Sequence, residues 1–84
     1  MRVGEAVLAA NAGLLEVFPD AQDKELLLEG VEKSDDGRFW QVTFSYSTVA
    51  GSHDPLARSY KTVKLRDEDG ELMGARNGFL SDAA

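Results

Sequence analysis

The sequence predicts an α+β domain, one N-terminal helix packed on an antiparallel meander sheet of about four strands. Three observations carry that expectation. Apolar residues recur at three-and-four spacing near the start, at Val3, Val7, Leu8, Leu14, Leu15 and Phe18. A period of two then takes over in residues 39–49 and again in residues 58–66. Two Asp-Gly pairs, Asp36-Gly37 and Asp69-Gly70, fall at the boundaries of alternating segments, where hairpins need turns.

The helix is expected over residues 3–18. Glu5 suits the positive end of its dipole, and Pro19-Asp20 terminates it. Gly13 weakens a helix by up to about 1 kcal/mol relative to Ala, so its presence marks a place of close backbone packing. Residues 24–34, "KELLLEGVEKS", read as the first strand, although a Leu triplet also suits a helix. Asp35-Asp36-Gly37 turns the chain back, because an Asp-Gly pair takes the positive φ angles of tight hairpins.

In the second strand, residues 38–49, Trp40, Val42, Phe44 and Tyr46 fall on a core face, and Gln41, Thr43, Ser45 and Ser47 on a wet or interfacial one. The third, residues 58–66, turns Val63 and Leu65 inward and Tyr60, Thr62, Lys64 and Arg66 outward. "DEDG" supplies the second turn, and residues 71–76 form a shorter last strand. No internal repeat is present beyond the two turns, and residues 1–84 form one domain.

Composition narrows the function classes. With 43% hydrophobic and 29% charged residues the chain is an ordinary globular one rather than disordered or membrane-embedded. A net charge of -6 disfavours nucleic acid, whose affinity comes from cations that neutralise phosphates, and favours solubility or a basic partner surface. The chain has no cysteine, which excludes disulfides, thiolate zinc sites and a cysteine nucleophile. Glu5 and Asn11 interrupt the first apolar stretch, making it a poor signal peptide. A cytoplasmic location is expected, secretion is left open, and no membrane partner is expected.

The order of a helix, a strand, "DDGRFWQVTF" and "YKTVKLRDEDGELMGA" resembles the PepSY-like family, small cystatin-like α+β modules of bacteria. There an Asp-Gly turn precedes an aromatic-X-Val strand, and a final hairpin has the pattern V-D-A-x-T-G-E-V. Leu65 to Leu72 overlays that hairpin without a gap, with Arg66 in place of the usual Asp and Asp69 in place of Thr. The likeness covers roughly residues 30–75. It implies a non-enzymatic accessory module, some members being thought to restrain peptidases, and carries over no functional residue. "STVAG", Ser47 to Gly51, is similar to the Q-x-V-x-G wedge of the cystatins. In cystatins, however, that wedge is the first hairpin after the helix, a place held here by Asp35-Asp36-Gly37, and the second inhibitory Pro-Trp is missing.

Candidate chemistry is sparse. His53 stands beside Ser52 and Asp54, but a hydrolase triad draws its members from separate segments that converge on the imidazole, so His53 reads as a polar turn residue. Asp67, Glu68, Asp69 and Glu71 attract hard cations in principle, yet they do not fit an EF-hand loop, where Gly70 in the sixth position would put Leu65 first. Asp35 and Asp36 sit at an exposed turn that offers no pocket to split their pKa values. The aromatics Phe39, Trp40, Phe44, Tyr46 and Tyr60 mostly share the core face, against a base-stacking platform. No catalytic residue, cofactor or metal ligand is assigned.

What remains is the outward face of Gln41, Thr43, Ser45, Tyr60, Thr62 and Lys64, a candidate interaction surface. The expected function is that of a small non-enzymatic module that binds another protein, with a homodimer through the sheet face or an edge strand as one form of it. The alternatives are an acidic inhibitor or immunity-type protein that blocks a basic partner, and a small enzyme or metal binder that uses His53.

Overall fold

The computed structural model describes residues 1–48 and 57–78. Helix α1, Val3–Val17, is followed by a 3-10 turn, Pro19–Asp23, and by strands β1 (Leu27–Lys33), β2 (Phe39–Ser47), β3 (Arg58–Arg66) and β4 (Leu72–Asn77). The strands form one antiparallel sheet in sequential order, β1-β2-β3-β4, with α1 across β2, β3 and β4. This is the expected α+β layer pair.

Both ends of α1 are closed locally. The Glu5 carboxylate accepts the N–H of Arg2 at 2.7 Å, and the N–H of Phe18 reaches the carbonyl of Leu14 at 2.7 Å. Pro19 has no N–H to extend the ladder, so the chain tightens into the 3-10 turn. Residues 24–26, expected in the first strand, precede it instead.

The buried stripe of α1 coincides with the expected one only in part: Leu14 is fully buried, and Val7 and Phe18 pack against the core from its margin. Ala6, Ala10, Gly13 and Leu14 face the sheet, whereas Val3 is 55% and Leu8 is 73% exposed. The sheet brings the bulk, through Trp40, Val42, Phe44, Val63 and Leu65, so the helix contributes small residues that let the layers approach. At Gly13 the approach is close: a Cβ there would stand 3.3 Å from Cδ1 of Leu72. Trp40, Val42, Phe44, Tyr46, Val63 and Leu65 are all buried, as their alternation predicts.

Two bulges account for the strands whose alternation is poor. The β1–β2 register shifts between Leu28 and Gly30, so Leu28 opposite Phe44 and Val31 opposite Val42 lie on one face although three residues apart. The β3–β4 register shifts between Lys64 and Leu65, which puts Leu72 and Ala75 on the helix side and Gly74 and Arg76 on the other.

The Asp-Gly turns also differ from expectation. Ser34 donates its N–H to Phe39 and Arg66 to Glu71, so the loops between them are longer than a tight Asp-Gly hairpin. Only glycine is left-handed in them, with φ 73° at both Gly37 and Gly70, and no other residue type has positive φ among the described residues. The aspartates act through their side chains: Asp36 accepts from the Ser34 hydroxyl at 2.7 Å and from the Arg38 N–H at 3.1 Å.

Candidate functional site

Sheet register places the six candidate residues on the face opposite α1. Gln41 stands between Glu32 of β1 and Lys64 of β3, and Lys64 in turn is beside Gly74. In the next row of this face Thr43 stands between Gly30 and Thr62, and Thr62 beside Arg76; beyond it Ser45 pairs with Leu27 and Tyr60. We call this the open face.

It is less wet than its Ser/Thr content suggests. Thr43, Ser45 and Thr62 are 6%, 0% and 3% exposed, while Gln41 and Tyr60 are half-buried and Lys64 is exposed. The buried hydroxyls are hydrogen-bonded, as burial requires. Thr62 donates to the carbonyl of Gly78 at 2.6 Å, so in the 2.8 Å contact between the threonines Thr43 is the donor. Ser45 donates to Glu29 and accepts from the Arg58 guanidinium at 2.9 and 3.1 Å, which ties three strands together on one face.

Gln41 is the exception: its Oε1 is enclosed and accepts no hydrogen bond among the described residues. Around it are a cation and an anion without ion partners. Lys64 lies with Nζ 4.3 Å from the centre of the Phe39 ring, and among the described residues neither Lys64 nor Glu32 pairs with an opposite charge. Gly74 adds no side chain and leaves a groove of about 350 Å³ bordered by Gln41, Thr62, Lys64 and Arg76.

Alternation pointed to Gln41, Thr43, Ser45, Tyr60, Thr62 and Lys64, and register brings all six together. Sequence reasoning missed Glu29, Glu32, Phe39, Arg58 and Arg76 on the same face. Continuing the period through residues 39–47 and 58–66 finds Phe39 and Arg58. The bulges conceal Glu29, Glu32 and Arg76, because each shifts the phase by one residue.

Elsewhere the ionisable groups serve the turns. Asp67 accepts the Trp40 indole N–H at 2.7 Å and pairs with the Met1 α-amine at 3.0 Å and Lys33 Nζ at 3.6 Å. The indole bond first, and the amine second, hold the Asp67 carboxyl below the usual carboxylate range. The Arg66 guanidinium holds Asp69 down to about 2, in a fork that also reaches Glu71 at 2.5 Å. The Ser34 hydroxyl and the Arg38 N–H lower Asp36. Carboxyls held ionised in this way are the reverse of a general acid, which needs its pKa raised toward neutrality.

Two other surfaces are concave. A groove of about 490 Å³ between α1 and β1 is bordered by Val7, Leu8, Leu15, Leu26 and Leu28, where the helix leaves β1 uncovered. A hollow of about 710 Å³ lies among Pro19, Asp20, Tyr46, Ser59 and Lys61. Among the described residues no three His, Cys, Asp or Glu side chains are grouped to hold a metal ion, and no helix is long and apolar enough to cross a membrane. His53 and most of "STVAG" lie outside the described residues. No family model matches the chain, and no curated protein or solved structure is significantly similar to it.

Proposed function

We propose that the chain is a small non-catalytic protein-interaction module of PepSY-like or cystatin-like character, which docks through the open face of its sheet. The observation that carries this reading is the centre of that face, where Glu32, Gln41 and Lys64 stand side by side in register. There, among the described residues, a cation and an anion lack ion partners and a buried amide oxygen lacks a donor. A surface that serves only to face water has no use for an enclosed acceptor, which loses its hydration without gaining a bond. Buried hydroxyls and half-buried aromatics around that centre give it the mixed polar and apolar character of a protein interface.

The non-catalytic part of the reading is supported by Asp36, Asp67 and Asp69, whose carboxyls are held ionised by turns and ion pairs. Capture from the native cell with three forms of the protein tests it. The wild type and Leu8→Asp, altered on the exposed side of α1, are expected to retain the same partner, and Tyr60→Glu to lose it. A partner that survives Tyr60→Glu and is lost with Leu8→Asp would move the docking surface to the groove between α1 and β1.

A further inference from the structure

Resting on that reading, we infer that the occupant of the open face is a second copy of this chain, related by a two-fold axis that runs parallel to the strands above Gln41. Glu32, Gln41 and Lys64 form one row across β1, β2 and β3. Neighbouring strands are about 4.8 Å apart, so Glu32 and Lys64 stand at nearly equal distances on either side of Gln41. A two-fold rotation about an axis along the strands exchanges the two sides. It sets Glu32 of one copy over Lys64 of the other, and Lys64 over Glu32, while Gln41 meets Gln41.

Each charge of the row without an ion partner, and the amide oxygen without a donor, acquires one under this one operation. The two charges form two equivalent intermolecular ion pairs. The two amides, turned about their terminal side-chain bonds toward the axis, exchange N–H donors, so each Oε1 that is now without a donor receives one. Primary amides related by a two-fold axis make that reciprocal pair without a third group. Facing sheets pack about 10 Å apart, a gap that two Gln side chains, or a Glu and a Lys, span end to end.

Charge selects this pairing over others. Each copy carries a net charge of -6, so two copies repel at long range, and contact requires matched charges at its centre. A two-fold axis in the same plane but across the strands would set Glu32 over Glu32 and Lys64 over Lys64. An unrelated acidic partner would answer Lys64 and leave Glu32 opposed. The row is complementary to itself, as an isologous interface must be.

Sedimentation velocity on the wild type and on charge variants tests the proposal. The wild type is expected to pass from monomer to dimer with rising concentration, up to about 1 mM, the weak limit of a specific contact. Glu32→Lys and Lys64→Glu each place like charges at both symmetric contacts, and each alone is expected to weaken association by more than about tenfold. Mixing the two variants sets the lysine introduced in one copy over the glutamate introduced in the other. The second contact then joins the unaltered Lys64 of the first copy to the unaltered Glu32 of the second, so dimers are expected to return in the mixture. No rearrangement within one chain produces that result. Gln41→Glu, nearly isosteric, sets two carboxylates at the axis and is expected to abolish the dimer near neutral pH.

Circular dichroism on every variant confirms that each remains folded. A monomeric wild type at all concentrations, or a mixture no more associated than its components, overturns the second copy as occupant. The broader reading of the open face as a docking surface fails separately, if captured partners are indifferent to Tyr60→Glu.

Discussion

Asp67 shows how single side chains hold this sheet to its helix. One carboxylate gathers the Trp40 indole, the Met1 α-amine and Lys33, fastening the last hairpin to β2 and to the start of α1. Asp36, Asp67 and Asp69 all have folded pKa values below the unfolded value of about 3.9. Folding therefore favours their ionised forms: the stabilisation is complete above about pH 4 and is lost as pH falls toward about 2. Thermal melts across that window should show the midpoint falling with acidity, and Asp67→Ala should lower the midpoint at pH 7 and flatten the acid dependence. An unchanged slope in Asp67→Ala would mean that the Asp67 carboxyl is not coupled to folding. Glycines act at the same scale. Gly37→Ala is expected to cost about 1–2 kcal/mol for its left-handed backbone. Gly70→Ala should cost about the same, because the atom that its Cβ would meet at 2.9 Å is Cε of Met1, the free end of a flexible side chain that can move aside; chemical denaturation of the pair checks the match.

Among the elements, α1 shows where sequence reasoning holds and where it does not. The apolar recurrence at Val3, Val7, Leu8, Leu14, Leu15 and Phe18 identifies a helix, yet of these only Leu14 lies in the fully buried stripe, with Ala6, Ala10 and Gly13, while Val7 and Phe18 pack at its margin. A period locates a helix, but its phase follows from what the sheet presents, and this sheet presents Trp40 and Phe44. Leu14→Ala is therefore expected to destabilise by about 2–5 kcal/mol, and Leu8→Ala by no more than about 0.5 kcal/mol. Equal effects in urea unfolding would return the helix to the phase that its large residues suggest. Gly13→Ala weighs a helix-propensity gain of up to about 1 kcal/mol against the nearby Leu72 methyl and should be close to neutral, whereas Gly13→Trp has no room and should unfold the layer pair. In β2 and β3 the alternation is legible because both strands pair with each other without a bulge. In β1 and β4 the extra residue near Glu29 and Met73 breaks the period, so alternation alone does not assign Glu32 and Arg76 to the candidate face.

The whole molecule has one face closed by a helix and one left open, and the open face is built with more polar bonding than solvent exposure alone calls for. Its Thr43–Thr62 contact and its Glu29–Ser45–Arg58 chain, and among the described residues a Gln41 oxygen without a donor beside Glu32 and Lys64 without ion partners, support the proposal that it is a contact surface. The groove between α1 and β1, with Leu8 and Leu28 exposed at 73% and 51%, is its rival as a contact between copies, and dilution distinguishes the two. Amide and side-chain NMR signals of the labelled protein, followed from high to low concentration, test the open face as the contact between two copies most directly. The account expects concentration-dependent shifts at Gln41, Thr43, Thr62, Lys64 and Gly74, with Ala6, Ala10 and Leu14 unmoved. Shifts confined to Leu8, Leu15 and Leu28, or no shifts at any concentration, would contradict it.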